Sequence, residues 1–526
     1  MDGLGDSKLK ISTVSSEAQS YFNQGLNLFH DYNSFEAKRD FAEAASLDPS
    51  CAMAYWGQAI ASRIGSADEA QRTRFLARAM SLRQTASGLE QGMIEAYSRR
   101  GTAPEGSVQY AQFLKDMRAL ATRYPAETQV KLLLAGELWG TYDSRGIATP
   151  NQQEKEALLS DVLARFPDNV AANHYWIHAV EISPHPERGL ISAKKLAELA
   201  PAAGHIVHMP GHIYYTLGEY AKASDAFLAA HRVDADYREQ NHVKLTDNDL
   251  ALHNDLYLVY SLIEQGRRRE ARAMALRVAA SGDMIRKDLE SSGKLLQGGW
   301  LPFIYHCRMA PVLVSMRLAD WAHARRFLSI RASDKRDQAA PLYRLWAIYC
   351  RGMDAVSRGD TSSARKADAE FSLLLTQVAK RKLPTSLESL AWPGGVLSVA
   401  QAELRGSVRS MSGPARDGIA MLEKAERMQR YLGYSEPPQY IRPVAETIAG
   451  AQFKSRRYKE AIIAYRLALT DRANDGLALF GIAQAEARMG DNAATSTAYW
   501  KFLDTWPAAD ADLPQVEQSR AWLAGH

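Results

Sequence analysis

The stretch GHIYYTLGEYAKASDAFLAAHRVD, residues 211–234, decides the fold. Along it small and large residues form a ladder: Gly211, Tyr214, Gly218, Tyr220, Ala223, Phe227 and Ala230. Small residues let two antiparallel helices approach closely, aromatics fill the gap, and a proline stops the second helix. The ladder recurs as Ala37, Phe41, Ala44 and Pro49, as Tyr458, Ala461, Tyr465 and Ala468, and as Gly490, Tyr499, Phe502 and Pro507. These are the marks of the tetratricopeptide helix pair, a repeat of roughly 34 residues.

In that register Pro125, Pro167, Pro201 and Pro507 close repeats. Pro167 to Pro201 spans 34 residues and Pro125 to Pro167 spans 42, so an insertion is expected near SRGIATPN (144–151). A longer one is expected at DYREQNHVKLTDND (236–249), and 381–396 and 430–443 read as long connections. Degenerate repeats fill the remainder, including WLPFIYHCRMAPVLVSMRLADWAHARRF (300–327). The expected fold is all-α: a tetratricopeptide-like α-solenoid, a superhelix of roughly 11–12 antiparallel helix pairs. Its expected sections are an N-terminal tail (1–16), N-terminal repeats (17–169) and a central histidine-rich set (170–284). Degenerate repeats (285–440), C-terminal repeats (441–508) and a C-terminal cap (509–526) follow.

Composition narrows the function classes. The 526 residues are 46% hydrophobic and 24% charged, which excludes a disordered or collagenous chain. Lys+Arg 64 against Asp+Glu 60 gives a net charge of +4, so neither nucleic acid nor a membrane is an expected partner. Cys51, Cys307 and Cys350 lie too far apart for a cysteine framework. The N-terminus lacks a hydrophobic signal core, and the expected location is cytoplasmic. No GxSxG, HExxH or CxxC occurs, and the glycine turns at 298–300 and 392–395 lack the strand context of phosphate loops.

Nine of 13 histidines fall between His174 and His253. His174 and His178 are four apart, as are His208 and His212, and the two pairs lie 34 residues apart. Each pair therefore takes the fifth and ninth places on the first helix of consecutive repeats. His174, His178 and Glu181 share one helix face, and His205, His208 and His212 another. Facing helices with axes roughly 8–10 Å apart can bring four such imidazoles onto one ion. Glu181 then adds an oxygen ligand or orients an imidazole. His205 and His253 hold matching second places in their repeats and are further candidate ligands; His306 is expected one repeat later and His242 in the insertion above the groove. Pro210 either kinks its helix or begins it. Duplication of a repeat carrying one pair would give the same spacing without a site. His30, His323 and His526 read as surface or packing residues, and Met209, Met309 and Met316 as packing.

The strings NHYWIHAVEISPHPERGL (173–190) and LAPAAGHIVHMPGHIY (199–214) resemble a group of bacterial tetratricopeptide-repeat proteins with HYxIHA and HMPxHI blocks. Residues 22–61 and 476–491 match the same group. The later helix of that group carries HNLHF; here it reads His253-Asn254-Asp255-Leu256-Tyr257, with Leu256 in place of the second histidine. The resemblance implies the solenoid fold.

The functional expectation is a metal-dependent enzyme, an oxidoreductase before a hydrolase, acting on a small molecule or peptide in the concave groove. Copper or iron is favoured as the ion, with zinc as the third choice. Glu181 and Tyr215 are the candidate proton-handling residues. The alternatives are a peptide- or protein-binding module, or a metal-binding protein without turnover.

Overall fold

A computed structural model describes residues 3–64, 68–143, 145–296, 299–380, 387 and 394–526. Most of the connection expected at 381–396, together with Gly298, Trp392 and Pro393 of the glycine turns and Ser144 of the first insertion, lies outside them. The described residues form 25 α-helices, two short 3-10 helices and one isolated bridge, Tyr142 to Ala148. The fold is an all-α tetratricopeptide-like solenoid. Among the described residues no helix is long and apolar enough to cross a membrane.

The chain divides into two compact units. One comprises Met1–Thr216, Asp225–Asn254 and Gln297–Gly299; the other comprises Leu217–Ser224, Asp255–Leu296 and Trp300–His526. In the first unit, consecutive helices pair as Ser16–His30 with Ser34–Leu47, Ala52–Ile60 with Glu69–Leu82, and Val170–Val180 with Leu190–Leu199. The segment expected as a tail is packed: Leu4, Leu9 and Ile11 are buried. Its backbone N–H groups at Ser7, Leu9 and Ile11 donate to Asn27, Asn23 and Gln19, which stand four residues apart on one helix face.

In the second unit the degenerate stretch at 300–327 lies in the helices Trp300–Arg317 and Trp321–Ser333. Arg317 is buried there and donates to Glu264, Glu446 and Asp475. Fully desolvated, it is tolerated because three carboxylates face it. Cys51, Cys307 and Cys350 are all free and buried.

Two sequence readings change. Residues 236–241, expected as part of an insertion, continue the helix Tyr220–Asn241, because DYREQN carries neither proline nor glycine. Only 242–249 remain as connection, with His242 exposed at a left-handed backbone position. The helix Gly204–Thr216 runs through Pro210 rather than starting at it. The ladder residues Gly211 and Phe227 meet as their types require: a Cβ at position 211 would run into the Phe227 ring.

Candidate metal centre

Two helices of the first unit, the opening turn of a third that also lies in it, and the loop after Ser16–His30 build the centre. Val170–Val180 starts at Asn169, whose side chain accepts from the Ala172 N–H at 2.9 Å, and it ends at Glu181. This start places His174 fifth and His178 ninth in the helix. Gly204–Thr216 places His208 fifth and His212 ninth, with His205 on its first turn. His253 comes from the start of Leu250–Glu264.

All six imidazoles gather in one place, but in two groups of three rather than one group of four. The ligating atoms of His174, His178 and His205 lie within 4.8 Å of one another, and so do those of His208, His212 and His253. The groups adjoin. Across them, the rings of His205 and His208 stack at 5.6 Å, and those of His178 and His212 also lie 5.6 Å apart. His174, His205, His208 and His212 are buried, and His178 and His253 half-buried.

Hydrogen bonds fix which nitrogen faces inward. His174 Nδ1–H donates to the carbonyl oxygen of His30 at 2.7 Å. His178 Nδ1–H donates to Glu181 Oε1 at 2.7 Å, and His212 Nδ1–H to Glu181 Oε2 at 2.6 Å. A carbonyl or carboxylate oxygen only accepts, so these three Nδ1 atoms carry a proton, and in the neutral ring that leaves the lone pair on Nε2. His174 Nε2 faces His205 Nε2 at 3.2 Å, and His212 Nε2 faces His208 Nε2 at 2.6 Å. Burial first, then the neighbouring imidazoles, holds His174, His205 and His208 well below the usual imidazole range. They are neutral at pH 7, the form that binds metals.

Glu181 breaks a local rule. An acidic residue at a helix C-terminus opposes the macrodipole, at a cost of about 0.3–1 kcal/mol. Burial would raise its carboxyl, yet His212 and His178 together hold it well below the usual carboxylate range. The ionised carboxylate thus orients two imidazoles through their outer nitrogens, as residues behind metal ligands do.

Sequence reasoning missed two residues. His30, read as packing, is a buried neutral link: Tyr175 O–H donates to its Nδ1 and its Nε2–H donates to Gln129, both at 2.9 Å. Burial lowers its pKa to about 4, and its own carbonyl holds His174. Tyr32 lies in a left-handed conformation (φ 61°), which sets its ring against His174, His178 and His205 at 4.8, 5.9 and 5.3 Å. The HDY string at 30–32 carried no periodic signal linking it to histidines more than 140 positions away. On the other side, the repeat aromatic Phe227 packs on His208 at 4.7 Å.

The remaining candidates separate. Tyr215 is half-buried, three residues past His212 on the same helix. His306 belongs to the second unit, where its Nδ1–H donates to the Pro302 carbonyl. His205 Nδ1 is buried without a hydrogen-bond partner among the described residues. The same side chain borders a small recess whose lining includes Asp31, Asn33, Asp234, Tyr237 and Asn248.

No family model and no curated protein matches the chain. Similar solved structures include yeast Tom70, at 14% identity over 97% of this chain and 96% of that one, with a TM-score of 0.28. A human IFIT1 dimer with PPP-AAAA is similar at 12% identity over 92% and 95% of the two chains, with a TM-score of 0.35. A structure of Naa15/Naa10 bound to HypK-THB is similar at 14% identity over 97% of this chain and 74% of that chain, with a TM-score of 0.23.

Proposed function

We propose that this protein binds transition-metal ions in the histidine cluster of its first unit. The observation that carries this reading is Glu181 gripping His178 and His212 by Nδ1, which leaves both Nε2 atoms aimed into a cluster of four further imidazoles. A polar helix face or a duplicated repeat accounts for repeated histidines. Neither accounts for a buried carboxylate spent on fixing two tautomers. Imidazole-only sets suit copper, iron, nickel and zinc, and copper or iron remains the first choice.

Redox turnover is the second reading: a polar recess beside His205 adjoins the first triad.

Elemental analysis of protein purified without a polyhistidine tag tests the binding reading. Wild type is expected to carry stoichiometric transition metal, and the His178→Ala/His212→Ala variant is expected to lose it. Wild type without metal, whose melting temperature ignores added copper, iron and zinc, contradicts the reading.

A further inference from the structure

The structure carries six imidazoles where one ion needs three or four. A transition metal bound by histidine at about 2.0–2.1 Å takes four ligands in the usual case, and an open site takes three from the protein. Six donors on one ion would be exceptional. The donors also do not fall together: the close groups made of imidazoles alone are His174, His178, His205 and His208, His212, His253.

We propose that the cluster holds two ions side by side, one per triad, with Glu181 as the carboxylate they share from behind. This rests on the metal-binding reading above and goes beyond it in number and arrangement. Each triad contains one imidazole whose Nδ1–H is taken by Glu181: His178 in the first and His212 in the second. The two oxygens of one carboxylate therefore set the inward nitrogens of both triads at once. The rings that touch across the boundary, His178 with His212 and His205 with His208, put the two positions next to each other. Each triad has its own wall: Tyr32 lies against all three rings of the first, and Phe227 packs on His208 and His212 of the second. Three protein ligands leave each ion a further coordination position, and His205 places the first beside the recess.

Anaerobic titration with copper(I) against a chromophoric copper(I) chelator tests the pair, with circular dichroism and thermal melting as checks on folding. Wild type is expected to bind two equivalents. His174→Ala and His253→Ala are each expected to retain one, and Glu181→Gln to weaken both. If His174→Ala does not fold, His205→Ala tests the same triad. One equivalent in wild type overturns the pair and leaves metal binding standing. So does loss of all copper in both single-triad variants, which marks one shared site. Weakening of only one equivalent by Glu181→Gln overturns the shared carboxylate. No copper and no zinc bound at all removes the metal-binding reading itself.

Discussion

His212 donates its Nδ1–H to Glu181 at 2.6 Å, joining the first helices of two consecutive repeats through a pair of side chains 31 residues apart. The second oxygen of the same carboxylate holds His178. The repeat period brings the two helices into phase, and the carboxylate turns that phase into a fixed orientation of two imidazoles.

Glu181→Gln keeps the shape but replaces one acceptor oxygen with an amide NH2 that can only donate. One of the two Nδ1–H groups then loses its acceptor and the ring is free to turn. Metal affinity is expected to fall by about 10- to 100-fold, the usual effect of removing a residue behind a ligand, with little change in helical content. Chelator competition and circular dichroism measure the two effects separately.

Tyr32 acts through its ring, so Tyr32→Phe is expected to bind metal like wild type. Tyr32→Ala uncovers His174, His178 and His205 and is expected to speed metal release from the first triad. Stopped-flow transfer of the metal to excess chelator distinguishes the two variants.

Gly211→Ala puts a methyl group into the Phe227 ring and is expected to destabilise the protein by about 1–3 kcal/mol. Because Phe227 also packs on His208, the same change is expected to weaken the second triad. Gly450→Ala is the control: it lies inside the helix Val444–Lys454 with nothing within 4 Å of the added carbon, and is expected to be neutral or stabilising. Denaturant unfolding measures both.

The metal-free protein is expected to lose stability on acidification. Burial holds His174, His205 and His208 below their ordinary value of 6.5, so the unfolded chain takes up protons there before the folded one does. Stability is therefore level above about pH 7 and falls as pH drops through 6.5 and below. Glu181, held below its ordinary 4.5, adds a further loss at lower pH. A series of thermal melts from pH 8 to pH 4 is expected to show this profile.

The parts of the centre visible in the sequence are those set by helix period and repeat length. Fifth and ninth places fixed the faces of His174, His178, His208 and His212, and the Gly211–Phe227 contact follows from the ladder at 211–234. The division into two triads was not visible, because it depends on how His205 and His253 meet those faces across helices. Tyr32 and His30 were hidden for a different reason. Their placement depends on a left-handed residue just after a helix end and on contacts more than 140 residues away in sequence, neither of which leaves a periodic trace.

X-ray absorption at the metal edge of tag-free protein, as purified and after copper(I) loading, addresses metal binding by the histidines most directly. A nitrogen shell at about 2.0 Å, with the outer-shell scattering of three imidazoles per ion, is the expected spectrum. A shell of oxygen donors without imidazole scattering, or no bound metal in either sample, would contradict it.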